Sequence, residues 1–94
     1  MMDPDPIPCE HVVFTEFDGV EGILVDLNTK KYYQLNETAM VIWKGLERRL
    51  GPKQIAEEIV ANYDITNEDA LRNVDEIVEK FQMYSLVSAG NDAT

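Results

Sequence analysis

The chain has 94 residues, eighteen acids against eight bases and a formal net charge of −10. A single domain of this size buries about 60–65% of the surface of its unfolded chain, so its core is small and a deep, walled active site is not expected. The charge works against binding to phosphate backbones or anionic membranes. The one cysteine rules out an internal disulfide. No apolar run reaches the ~20 residues that cross a bilayer. A hydrophobic content of 45% supports a folded core. The start, M-M-D-P-D-P, has no apolar run of the signal-peptide kind, and a cytoplasmic location is the expectation.

Residues 1–10 are expected as an N-terminal tail, with three prolines and two aspartates in the first nine positions. From His11 to Phe17, Val12, Val13 and Phe14 mark a first strand. Asp18-Gly19 is a tight-turn signal. In the second strand Ile23, Val25 and Leu27 alternate with Leu24 and Asp26. Asn28-Thr29-Lys30 then turns the chain into a third strand, Lys31 to Leu35, with Tyr33 and Leu35 on one face and Tyr32 and Gln34 on the other. Short turns between consecutive strands predict an antiparallel meander.

Asn36 is a strong helix N-cap, because its side-chain oxygen accepts an orphan N–H of the first turn. Ala39, Ile42, Trp43, Leu46 and Leu50 then recur on one helical face, predicting a helix from Glu37 to Leu50. Arg48 and Arg49 suit its last turn, and Gly51 is placed to end it. Pro52 opens a second helix that buries Ile55, Ile59 and Tyr63 and leaves Glu57 and Glu58 wet. After a break at Asp64-Ile65, Thr66-Asn67-Glu68-Asp69 resembles a capping box with Asp as its last member. The third helix runs to about Tyr84 on a stripe of Ala70, Val74, Ile77, Phe81 and Tyr84. Leu71 and Val78 lie beside that stripe, and Asp75 and Gln82 lie further round the same side. Leu86-Val87 return to the core before a tail at 88–94. The predicted class is α+β and winged-helix-like: a three-stranded antiparallel sheet, then a three-helix bundle, in one domain over 11–87.

No set of residues reaches a catalytic motif. Cys9 and His11 supply two metal-type ligands where zinc needs three or four, and a thiol nucleophile needs its base held in reach. Glu57, Glu58, Asp69, Asp75, Glu76 and Glu79 fall mostly opposite the apolar stripes and read as a solvated face. No glycine-rich phosphate loop is present. The expectation is therefore a protein without catalysis, metal or cofactor. If the third helix were a DNA-recognition helix, it would bring five acids and two bases between Glu68 and Lys80 to the phosphates, so nucleic acid is not an expected partner.

What remains is the third strand as a sheet edge. An outer strand leaves one row of N–H and C=O groups open, which is either protected or used to pair with another chain. Lys30 and Lys31 fit the protective reading. In the other reading an extended peptide adds as a fourth strand, with the Leu71, Asp75, Val78 and Gln82 flank of the third helix as a groove wall. The sequence does not fix which flank faces the strand.

The run G-I-L-V-D-L-N-T-K-K-Y-Y-Q-L-N-E-T-A-M-V-I-W, Gly22 to Trp43, resembles the PqqD-like family. Ile55-Ala56, Asp64 and the spacing Val74, Val78, Phe81 to Leu86 extend the resemblance over about residues 12–87. It implies a non-catalytic peptide chaperone, or recognition element, of ribosomally made and modified peptides. The leader of a precursor peptide would add to the third strand, and a partner such as a radical S-adenosylmethionine enzyme would modify the core segment. The implied peptide-binding residues are Lys31, Tyr32, Tyr33, Gln34 and Leu35, with Leu71, Asp75 and Val78 from the helix. Monomer or weak homodimer is the expected state. Proteins serving pyrroloquinoline quinone synthesis tend to carry Pro-Glu before the third strand and a cysteine in the first helix. Here Leu27-Asn28-Thr29 and Trp43-Lys44-Gly45 stand in those regions, and Ser85 replaces the usual Gly before the final apolar pair, which leaves the peptide product open. The alternative from topology alone is a winged-helix transcriptional or structural module.

Overall fold

A computed structural model of the chain describes residues 7–18 and 21–88. Most of both expected tails, and Gly19 of the predicted turn, lie outside those residues. The elements in order are β1 (Val12–Phe17), β2 (Glu21–Asp26), β3 (Lys31–Leu35), α1 (Glu37–Glu47), α2 (Pro52–Asn62) and α3 (Asn67–Met83). The strands form an antiparallel sheet in the order β1-β2-β3. Sheet first and helices second give the α+β class that the sequence predicts.

The register sorts side chains between the two faces. Phe14, Leu24 and Tyr33 form one cross-strand row, and Val13, Val25 and Tyr32 form the next. Strand side chains alternate, so neighbouring rows point to opposite sides. The Leu24 row faces the helices, with Leu24 and Leu35 in a core shared with Met40, Ile42, Trp43, Leu46, Ile55, Ile59, Val74 and Phe81. Trp43 sits at its centre, edge-on to Phe81 with centroids 5.4 Å apart, and its indole N–H donates to Glu47. Gly45 lets α2 come close: a Cβ there would stand 2.7 Å from Ile55 Cγ1.

Asn36 does what its type predicts. Its Oδ1 accepts the Ala39 N–H at 2.8 Å, turning strand into helix within one residue. The end of α1 differs from expectation. The helix stops at Glu47, and Arg49 takes the left-handed backbone (φ 64°) that Gly51 was expected to supply. The Arg49 N–H donates to the Leu46 carbonyl and the Leu50 N–H to that of Gly45, the paired bonds of a Schellman ending. Gly51 instead caps the start of α2, its N–H donating to Gln54 Oε1. The capping box at Thr66 is half formed. Thr66 Oγ1 accepts from the Asp69 N–H, while the Asp69 carboxylate pairs with Arg72 at 3.3 Å.

α3 closes with a second Schellman ending. Ser85 has φ 60°, its N–H donates to Gln82, and the Leu86 N–H donates to Phe81. That turn drives Leu86 and Val87 into the core. The returning strand of backbone meets the chain's start: Cys9 donates to Leu86, Ser88 to Ile7, and Pro8 bridges Val87. Residues 7–9, expected as tail, are thus tied to residues 86–88.

Candidate functional site

β3 has β2 on one side and no strand on the other among the described residues, so one row of its backbone groups faces outward. Its entry is fixed by a buried carboxylate. Asp26 is 2% exposed; its Oδ1 accepts the N–H groups of Asn28 and Thr29, and its carbonyl accepts that of Lys30 at 2.7 Å. Lys30 turns the corner with φ 65°. His11 Nε2 stands 3.6 Å from Asp26 Oδ2 on the far side. Burial pushes the Asp26 carboxyl up, but the Thr29 and Asn28 N–H groups and nearby His11 outweigh it and hold it below the ordinary carboxylate range. Burial, then the Asp26 charge, push the Cys9 thiol up and keep it protonated, the reverse of an activated nucleophile.

Along β3 the predicted residues divide between faces. Leu35 is buried and anchors the strand, Tyr33 is half-buried, and Lys31, Gln34 and Tyr32 are exposed, Tyr32 at 74%. Gln34 Nε2 donates to Glu21 Oε1 across the sheet. These two line a depression of about 320 Å³ with Leu35, Asn36 and Glu37, at the end of the strand.

α3 stands off from β3: no pair of their Cα atoms comes within 8 Å. Side chains bridge the gap at one end, where Tyr33 stacks on Tyr84 with centroids 5.0 Å apart and rings 28° from parallel. At about 100° per residue, Tyr84 and Ile77 lie on one flank of α3, and Leu71 and Asp75 on the opposite flank. The Tyr84 contact lies at the C-cap of α3, on the side of Ile77. Leu71 lines a separate depression of about 240 Å³ with Lys53, Ala56, Glu57 and Asn67, between α2 and α3. Asp75 is exposed, and Val78 sits in the core at 7% exposure. The structure thus brings Tyr33 to Tyr84, leaves Lys31, Tyr32 and Gln34 exposed along the strand, and places Leu71 in the α2–α3 depression and Asp75 in solvent. Tyr84 was legible only as part of an apolar stripe, and Asp26 only as an alternating strand residue.

The profile of the family described as Coenzyme PQQ synthesis protein D (PqqD) matches residues 21–87. The chain belongs to the PqqD family. The match runs from β2 to the core-bound Val87, in agreement with the resemblance carried by Gly22 to Trp43. Two solved structures share the fold. The structure of TbiB1 in complex with the TbiA(beta) leader peptide is 24% identical with a TM-score of 0.82, covering 88% of this chain and 95% of that one. The structure of lasso peptide synthetase B1 complexed with the leader peptide is 21% identical with a TM-score of 0.81, covering 89% and 98%. No curated protein matches the chain. The role of the PqqD family is that of a peptide chaperone.

Proposed function

We propose that this chain is a non-catalytic peptide chaperone that binds the leader segment of a precursor peptide by strand addition at β3 and presents it to a modifying enzyme, such as a radical S-adenosylmethionine protein. The observation that carries the reading is the free edge of β3 beside a helix that stands away from it. The added strand pairs with the backbone of Lys31, Tyr32, Tyr33, Gln34 and Leu35, which sets its alignment, while pockets for alternate side chains set its specificity. Both solved relatives named above hold a leader peptide, which supports the same use here.

For the helix wall, two flanks compete. The sequence favours Leu71, Asp75 and Val78; the aromatic stack favours the flank of Ile77 and Tyr84, because that flank already touches Tyr33. The proposed wall is the second. Titrating the leader into folded variants separates them: Tyr84→Ala weakens binding about fivefold or more and Leu71→Glu less than twofold, on the scale of an interface anchor against a bystander. The opposite order moves the wall to Leu71, and no effect from either removes the groove. The winged-helix DNA reading is disfavoured because Glu68, Asp69, Asp75, Glu76 and Glu79 are all exposed along α3.

A further inference from the structure

The sheet has a second face, on the side away from the helices. Val13, Phe17, Leu27 and Tyr32 are 43%, 47%, 48% and 74% exposed, and they are four of the six exposed large hydrophobics among the described residues. Val13, Phe17 and Tyr32 fall by strand alternation on the face turned away from the helices, and Leu27 follows the end of β2. The row Val13–Val25–Tyr32 crosses all three strands on that face, with half-buried Ile23 beside Val25. α1 packs against β2 and β3 from the other side. Apolar side chains concentrated on one exposed face of a small soluble protein mark a protein-binding surface.

Two observations choose the occupant. The chain carries a net charge of −10, and exposed Asp18 and Glu21 border this face at the β1–β2 turn, with Lys30 at the opposite end. A second copy would bring two strongly acidic bodies together, whereas a partner with a basic rim is attracted and steered. The face is also continuous with β3. In a strand added there, every other side chain stands beside Tyr32 and Gln34. A protein seated on the outer face therefore touches carrier and peptide together.

We infer that the outer face of the sheet is the docking surface for the peptide-modifying enzyme, through a region of that enzyme with an apolar centre ringed by lysine and arginine. The inference rests on β3 taking the peptide. Val13 and Phe17 lie on β1, at the far edge from β3, so changing them leaves the peptide strand alone.

The test uses the full chain, the precursor it binds and the enzyme that modifies that precursor. Val13→Lys/Phe17→Lys places positive charge on exposed positions, and circular dichroism checks the fold; Val13→Ser/Phe17→Ser serves if the lysine pair does not fold. The expected result is a peptide Kd within twofold of the parent's and a kcat/KM for modification about tenfold lower, the scale of losing interface anchors. Raising salt from 50 to 500 mM lowers the enzyme's modification of precursor carried by the parent chain in the same direction. Unchanged modification with unchanged peptide binding overturns the inference and leaves the peptide reading standing. A parent chain that binds no precursor removes the peptide reading first. A concentration-dependent dimer in sedimentation, lost in the lysine variant, assigns the face to a second copy and overturns the inference as well.

Discussion

Arg49 and Ser85 carry a backbone that their side chains disfavour. Both sit in the left-handed region after a helix, where a Cβ costs about 1–2 kcal/mol and glycine costs nothing. Ser85→Gly and Arg49→Gly are each expected to stabilise the fold by about 0.5–1 kcal/mol, after the entropy that glycine adds to the unfolded chain. A rise of about 2–8 °C in Tm checks this. Arg49 does not announce its role in the sequence, because its turn is imposed by Leu50 returning to the core, whereas Ser85 stands where the resembled family usually has Gly. Asn36 is the contrast. Its capping bond follows from residue type and position, and the structure has it.

Asp26 ties a second residue-scale prediction to pH. Its folded pKa is lowered, so the stabilisation it gives is present above the ordinary aspartate pKa of about 4 and is lost as pH falls through the lower, folded value. Asp26→Asn is expected to unfold more easily at pH 7 and to show a flatter loss of stability below about pH 4. Denaturant midpoints measured from pH 2 to 7 decide it; parallel curves for parent and variant contradict it. The sequence hid this residue because its partners, the Asn28 and Thr29 N–H groups and His11, are brought to it by the turn and the β1–β2 pairing.

At the scale of elements, the order of strands and helices was legible, since periods of two and 3.6 residues switch cleanly at Asn36, while the end of α1 was not. The open edge of β3 was legible too, from the meander alone. The flank of α3 was not, because the 100° wheel fixes which residues share a side but not which side meets the sheet. One contact, Tyr33 on Tyr84, is the observation on which the proposed flank rests. The element-scale prediction concerns backbone. A proline at the β3 position whose N–H points away from β2 removes a donor to the incoming strand while keeping the β2–β3 ladder. Leader binding is expected to fall more than tenfold in that variant, and less than threefold with alanine at the exposed Tyr32. Equal losses contradict strand addition.

Across the whole molecule, the charge of −10 sets what the chain meets. Peptide binding through backbone pairing and apolar contacts is expected to change by less than about threefold between 50 and 200 mM salt, where a phosphate-binding module loses about 10³-fold or more. Isothermal titration at both salts separates the peptide chaperone from the DNA-binding module. No described helix is long and apolar enough to cross a membrane. The five acids of α3 were legible in the sequence, and all five are exposed. The apolar outer face was not legible, because alternation assigns residues to two faces without saying which one the helices cover.

The most direct measurement is a heteronuclear NMR titration of the labelled chain with the leader of its precursor. The account predicts that amides from Lys31 to Leu35 shift and gain protection from exchange, with the Tyr33 and Tyr84 rings moving alongside. Saturable binding that leaves those five amides in place, and shifts only α2 or the helix face around Leu71, contradicts it.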